Sequence, residues 1–416
     1  MKLHLRQDSC SVNATQPKVT TYGPKESAIA ANSASPPPEA QARITWASRV
    51  ANCLDTLKVS FWVNWFDSKI LEQLEEAKQA AQATEFDSEP IDLAGHTFNC
   101  HRSGTKLFTY RLVKGDVTLL FHSRSPESTR PNARLEIGSM SCWAPGYQKN
   151  YDEFIKLVEL LGGVVVKELV SEAHLCADFI GLAIDDVPVQ HEDYWITPAH
   201  NFNYRSNRRK FSYVSFGKGD LMLRVYDKAL ELQNNAHKKE LFLDVWGLDS
   251  LEGVSVTRVE YQIRRPVFSS FNPNVNTLEE LKDSLKALWG YCTAEWTRLV
   301  ERPVDRNHHQ SRAVIHPWWQ QVQATEWKGN KFVERKKDYA RKDMERICKL
   351  LAGTGMSAAA KSITSLDDIE EVFNFAHANL EKNLRDMFQR DPALFVKKMA
   401  RKINEVNGPF QSEVAE

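Results

Sequence analysis

Hydrophobic and polar positions fall into three regimes along the chain. Up to residue 43, Ser, Thr, Ala, Asn and Pro follow no period and end in SASPPPEA, which predicts a disordered N-terminal tail over 1–43. From 44 to 272 the pattern switches between period two and period 3.6. Strands are predicted at Leu54–Trp65, Leu107–Val113, Val117–Arg124, Ala133–Met140, VVVKELV, Asp178–Asp186, Phe211–Phe216, Leu221–Lys228 and Val254–Arg265. Helical spacing marks Ser68–Gln82, Tyr151–Leu161 (stopped by Gly162-Gly163) and about Ala229–Trp246. This order predicts an α+β domain, 44–272, with a largely antiparallel sheet and helices on one face. Beyond Pro273 the period stays helical, at Leu278–Val300, Trp318–Trp327, Lys331–Leu351, Leu366–Gln389 and Pro392–Val406, which predicts an all-helical C-terminal domain over 273–416.

Chemistry enters through the polar faces of three strands. In LMLRVYDK, alternation sends Leu221, Leu223 and Val225 to one side and Arg224, Tyr226 and Lys228 to the other. A tyrosine between cations suits nucleophilic attack on phosphate, since the cations favour the phenolate and neutralise the phosphoryl oxygens. TRVEYQIRR places Arg258, Glu260, Gln262 and Arg264 on one face, and ARLEIGSM pairs Arg134 with Glu136. A solvated face of an antiparallel sheet would look much the same. The mixture of carboxylates with cations favours a site, and Glu260, Glu136 and Asp185 are candidate hard-oxygen ligands for Mg²⁺ or Mn²⁺. Phosphodiester cleavage by an attacking tyrosine is the reaction these groups suit.

Composition narrows the alternatives. The 54 basic residues balance 54 acidic ones, so local surpluses matter more than net charge. YRSNRRK supplies Arg205, Arg208, Arg209 and Lys210 as candidate DNA contacts, joined by Arg264, and Lys328–Lys349 carries nine Lys/Arg against four acids. Of the twelve histidines none stands two residues from another, so the expected metal site is mainly carboxylate. The seven cysteines show no paired spacing, which points to a reducing compartment, and no apolar run reaches membrane-spanning length. Cytoplasmic localisation without a membrane partner is expected. P-loop, GxSxG and strand-linked GxGxxG motifs are missing, and FGKGD between two strands reads as a hairpin turn. Five tryptophans between Trp289 and Trp327 read as helical core.

The ordered series LDTLKVSFWVNW, ARLEIGSMSCW, a helix, DFIGLAIDD, SYVSFGKGDLMLRVYDKALE and TRVEYQIRR resembles the replication initiation factors of rolling-circle plasmids and filamentous phages, a family that includes relaxases of integrative elements. The similarity covers Leu54 to Arg265. It implies a DNA nicking and joining enzyme without a two-histidine motif, using a tyrosine and a divalent cation. Carried over, Tyr226 is the tyrosine of the YDK motif, with Arg224, Asp227 and Lys228 beside it, and Glu260 is the glutamate of the RVE strand. Where the family carries Arg-x-Asp, this chain has Phe179 and Gly181, with Asp178 and Asp185 nearby. Tyr213, on the adjacent strand, is a second candidate nucleophile.

The expected function is therefore that of a filamentous-phage rolling-circle initiator. It would bind double- and single-stranded origin DNA and nick one strand through Tyr226, leaving a 5′-phosphotyrosine and a free 3′-hydroxyl. Glu260, Glu136 and Asp185 would hold the metal, and Arg224, Lys228 and Arg258 would neutralise the phosphate. Host helicase or polymerase, or a second copy in a homodimer, are the expected protein partners. A mobilisation relaxase with the same chemistry, and a non-catalytic DNA-binding regulator on the same fold, are the alternative readings.

Overall fold

The period-two stretches pair into one antiparallel sheet, and its strand order decides which side chains meet. The computed structural model describes residues 11–13, 47–207, 210–233, 235–304, 310–335, 344–361 and 369–407. Its strands are β1 (Arg49–Trp65), β2 (Ser88–Leu93), β3 (His96–His101), β4 (Tyr110–Lys114), β5 (Val117–Phe121), β6 (Ala133–Ile137), β7 (Gly163–Ile180), β8 (Phe202–Asn207), β9 (Lys210–Gly217), β10 (Leu221–Asp227) and β11 (Val256–Arg264). They run in the spatial order β8-β9-β10-β11-β7-β1-β6-β5-β4-β3-β2. Of the predicted tail, Ser11–Asn13 pair with Val50–Asn52 and the rest lies outside the described residues.

β1 and β7 are the spine of the sheet. They pair along nearly their whole lengths, and β7 joins the predicted VVVKELV to the first three residues of DFIGLAIDD in one strand of 18 residues, while the predicted strand's remainder, 181–186, leaves the sheet in a turn. One face is apolar because alternate residues such as Val59 and Phe61 on β1, Leu175 and Ala177 on β7, and Val259 and Ile263 on β11 are fully buried. Helix α1 (Lys69–Ala83) lies along β2 and β3, burying Ile70, Leu74 and Ala81. Helix α2 (Tyr147–Leu160) sets the Phe154 ring 4.8 Å from Phe61.

The helix predicted from about Ala229 to Trp246 is two, α3 (Lys228–Gln233) and α4 (Ala236–Trp246), and they pack on the opposite, polar face at one end of the sheet. Gly217 and Gly219 take positive φ in the FGKGD hairpin, and a Cβ at Gly217 would meet the Leu221 carbonyl at 2.4 Å.

Helix α5 (Leu278–Gly290) begins with a capping box, in which Glu280 N–H donates to Thr277 Oγ1 and Thr277 N–H to Glu280 Oε2. Its apolar stripe, Leu281, Leu285, Leu288 and Trp289, covers the β11 face, with Trp289 edge-on to Tyr261 at 5.6 Å. Helix α6 (Pro317–Gln323) brings Trp318 against Phe179 and Trp319 against Trp195. The sequence places a boundary after 272. The chain instead divides after Arg335, because the apolar side of β11 and β7 takes its cover from these later tryptophans. In the second unit, α7 (Met344–Ala359) packs on α8 (Ile369–Arg390) and α8 on α9 (Pro392–Asn407), where Phe388 and Phe395 meet at 5.6 Å.

No described helix is long and apolar enough to cross a membrane. Cys53 is disulfide-bonded, which departs from the reducing compartment expected from cysteines without paired spacing.

If α5 belongs to the same core as the sheet, Trp289→Ala should lower stability by about 3–5 kcal/mol, the usual cost of emptying a buried aromatic position. Urea unfolding of the full chain checks this, and a loss below ~1 kcal/mol would place the helix outside the sheet core.

Candidate active site on the polar sheet face

Antiparallel register brings the polar side chains into rows. One row is Tyr226–Arg258–Asp178 across β10, β11 and β7, and the next is Arg224–Glu260–Cys176. Farther along come Met222–Gln262–His174–Thr56 and then Arg264–Glu172–Lys58–Glu136 across β11, β7, β1 and β6.

Glu260 is the hub. Its Oε2 accepts the Tyr226 hydroxyl at 3.0 Å, while its Oε1 lies 2.8 Å from Arg224 Nη1 and 2.9 Å from His174 Nδ1. His174 Nε2 continues to Glu172 Oε1 at 3.1 Å, which also takes Lys58 Nζ at 3.1 Å, and Arg264 Nε reaches Glu172 Oε2 at 2.8 Å. Arg224 is steadied by Gln262 Oε1 at 2.7 Å. The Tyr213 ring lies 6.4 Å from Tyr226, and the Arg205 guanidinium lies over the Tyr213 ring at 5.3 Å.

At the other end the face is closed. Arg258 is fully buried and clamps Asp178 with Nε and Nη2, at 2.5 and 2.7 Å, while Nη1 reaches Asp55 Oδ1 at 2.5 Å. Asp55 is the extra residue of a bulge in β1, which frees its side chain from the strand row and lets it turn toward β11. Ser139 and Trp143 also donate to Asp55 Oδ1, and Trp246 donates to Asp178. Phe242 and Trp143 cover the guanidinium at 5.0 and 5.5 Å.

Burial and charge pull the titrations in opposite directions. Burial alone would raise Asp55, but the Arg258 and Lys228 charges outweigh it and hold the carboxyl well below the usual range. Burial would lower His174, yet the hydrogen bonds to Glu172 and Glu260 raise it to about 9. Glu172 falls to about 2, because His174 and Lys58 overcome its burial. Tyr226 moves well above 10, first through burial and then through the Glu260 carboxylate, against a smaller opposing effect of Arg258. The expectation that flanking cations favour a phenolate is thereby corrected. The phenol rests protonated, and a base already accepts its hydrogen bond.

The predicted residues separate into groups. Arg224, Tyr226 and Glu260 meet. Lys228 is not a strand residue: β10 ends at Asp227, whose Oδ1 caps the next turn by accepting from Leu230 N–H at 2.9 Å, and Lys228 opens α3. Its buried ammonium pairs with Glu231 and lies 4.6 Å from the Phe242 ring. Arg258 is likewise committed to carboxylates rather than open to a phosphate.

The three expected metal ligands are not assembled. Glu136 pairs with Arg134 three strands from Glu260, on the order of 15–20 Å away, and Asp185 is exposed in the turn after β7. The donor set around Tyr226 does not fit a divalent cation either, since Glu260, Asp55 and Asp178 already face Arg224, Arg258 and a raised His174. Among the described residues no group of three His, Cys, Asp or Glu could hold a metal ion. Of the candidate DNA contacts, Arg205 is exposed on β8 and Arg264 sits at the open end of β11. Arg208 and Arg209 lie outside the described residues, and Lys210 is described only as the backbone that opens β9. Sequence reasoning missed Asp55, Glu172 and His174, although Glu172, His174 and Asp178 alternate in SEAHLCAD.

No family model and no curated protein matches the chain. Among solved structures, a rolling circle replication initiator protein from Geobacillus stearothermophilus is similar at 13% identity and a TM-score of 0.39, with 68% of this chain and 100% of that chain covered.

Two outcomes test the electrostatics. Asp178→Asn leaves the buried Arg258 with half its partners and should cost about 3–5 kcal/mol in urea unfolding. His174, raised above its unfolded value near 6.5, contributes stability that is full below that pH and is lost as pH rises through about 9. Wild-type stability should therefore fall by on the order of 3 kcal/mol across that window, and His174→Gln should flatten the fall. Parallel pH curves for the two proteins would contradict the raised imidazole.

Proposed function

We propose that the chain is a rolling-circle replication initiator that nicks one strand of its origin through Tyr226. The observation that carries this reading is the Tyr226 hydroxyl donating to Glu260 at 3.0 Å, beside a partly exposed Arg224. The strand series in the sequence supports it, since the tyrosine of its YDK motif and the glutamate of its RVE motif are the two groups that meet. As the Tyr226 oxygen bonds to phosphorus, its proton passes to Glu260 and the bond from phosphorus to the 3′ oxygen breaks. The proton then goes to the departing oxygen, leaving a 5′-phosphotyrosine and a free 3′-hydroxyl. Two of the five guanidinium donors of Arg224 are engaged by Glu260 and Gln262, so others are available for the charge that develops on phosphate.

Incubating the full chain with supercoiled circular DNA of its own replicon in Mn²⁺ buffer, then resolving products on a denaturing gel, tests this. Wild type should give nicked circles and a covalent adduct, Tyr226→Phe neither, and Glu260→Gln should slow adduct formation by roughly 10²–10⁴-fold. Tyr213→Phe should retain the adduct. Nicking that survives in Tyr226→Phe and disappears in Tyr213→Phe would move the nucleophile to Tyr213. Salt-dependent DNA binding with no nick under any condition would leave a non-catalytic regulator.

A further inference from the structure

Beyond Glu260 the polar face opens into a groove of about 360 Å³, lined among others by Lys58, Ser60, Arg134, Ser171, Glu172 and Arg264. It adjoins the tyrosine site through the contacts from Glu260 to His174 to Glu172, and Arg264 is four residues, roughly 13 Å, along β11 from Glu260.

Cations outnumber carboxylates in the lining, with Lys58, Arg134, Arg264 and Arg265 against Glu172 and Asp220. Lys58, His174 and Arg264 converge on the single carboxylate of Glu172, and Arg134 stands on the neighbouring strand with its Nε donating to Ser60 Oγ at 3.0 Å and its Nη1 3.6 Å from Glu136 Oε1. Asp220 and Arg265 also border it. Arg265, however, donates to the Val170 and Val275 carbonyls and to Asn276, so it closes the wall. The remaining cations reach solvent, with side-chain exposure of 44% for Arg264, 29% for Lys58 and 21% for Arg134. Ser60 and Ser171 share a hydroxyl hydrogen bond of 2.7 Å on the floor.

The groove has hydroxyls and cations but no aromatic platform. Trp62 borders it, yet its indole N–H donates to the Ser128 carbonyl, Lys167 lies 4.5 Å over its ring, and only 5% of the residue is exposed. Such a lining suits phosphates and sugars rather than stacked bases. A strand held with one phosphodiester within bonding reach of Tyr226 extends its neighbouring phosphates along this face, where they need counter-charges.

We propose that this groove seats the sugar–phosphate backbone of single-stranded DNA flanking the phosphate attacked at Tyr226, with Lys58, Arg134 and Arg264 on successive phosphates and the bases facing away. This rests on the nicking site proposed above. The contacts are independent of base identity, so the groove supplies affinity and register, and any origin sequence is read elsewhere.

Fluorescence anisotropy of the full chain with a labelled short oligothymidylate, and with a duplex of equal length, tests this at rising KCl. The Arg134→Gln/Arg264→Gln variant should bind the single strand roughly tenfold more weakly near 0.1 M salt, and its slope of log K against log salt should be shallower by about 1.4, two contacts' worth. Arg134→Lys/Arg264→Lys should restore most of the affinity. Unchanged affinity and slope in the glutamine variant would overturn the proposal. So would an equal loss for the duplex, or a lysine variant with wild-type urea midpoint that binds as weakly as the glutamine one. Covalent adduct by wild type is measured in parallel. No adduct, with single-strand binding that depends on the groove, would sink the nicking reading and keep the groove, whereas normal adduct with groove-independent binding would do the reverse.

Discussion

Arg258 between Asp178 and Asp55 is the constraint on which the rest of the sheet face depends. A guanidinium with no solvent contact is tolerated in this position because two carboxylates neutralise it and two aromatic rings cover it. These partners come from β7, from a bulge in β1, from α4 and from the turn before α2. Arg258 thereby ties the two spine strands to β11 and fixes the helices that close one end of the polar face. Because that end is closed, Glu260, Arg224 and Tyr226 stand at the edge of a buried ion pair and not in open water, and this is what holds the phenol protonated beside its acceptor.

The same arrangement divides labour among cations that look alike in the sequence. Arg258 and Lys228 are covered by Phe242 of α4 and act on the site through charge and position, while Arg224, Arg264 and Lys58 keep part of their surface in solvent. Spacing along a strand predicts which face a residue takes. It does not predict whether a helix will later lie over that face, and so the assignment of Arg258 to phosphate could not have been avoided by periodicity alone.

Much of this was legible before folding was considered. The alternation in LMLRVYDK and TRVEYQIRR placed Tyr226, Arg224 and Glu260 on a common face because an antiparallel ladder keeps a strict period of two. The α+β order was readable for the same reason. What escaped has local causes. SEAHLCAD mixes small, acidic and apolar residues without β-branched or aromatic runs, so the middle of β7 carries no strand signal and neither Glu172 nor His174 is legible from it. Asp55 sits at a bulge, where the period slips by one. Lys228 reads as a strand residue because nothing in the period marks Asp227 as the residue whose carboxylate caps α3. Residues 273–335 read as a separate domain because helical period says nothing about which apolar surface a helix will cover.

The long pairing of β1 with β7 has one more implication. Asp55 and Asp178 at the closed end of the polar face, and Lys58 and Glu172 at the open end, are carried on these same two strands, so the register of that pairing sets their separation. Exchanging a side chain on this face alters one contact. A residue added between Thr56 and Lys58, and not taken up in a bulge like the one at Asp55, would turn Lys58 and Ser60 inward and bring Val59 out. Over evolutionary time such a surface can change its chemistry residue by residue while its length stays fixed, and the strand works as a ruler as much as a wall.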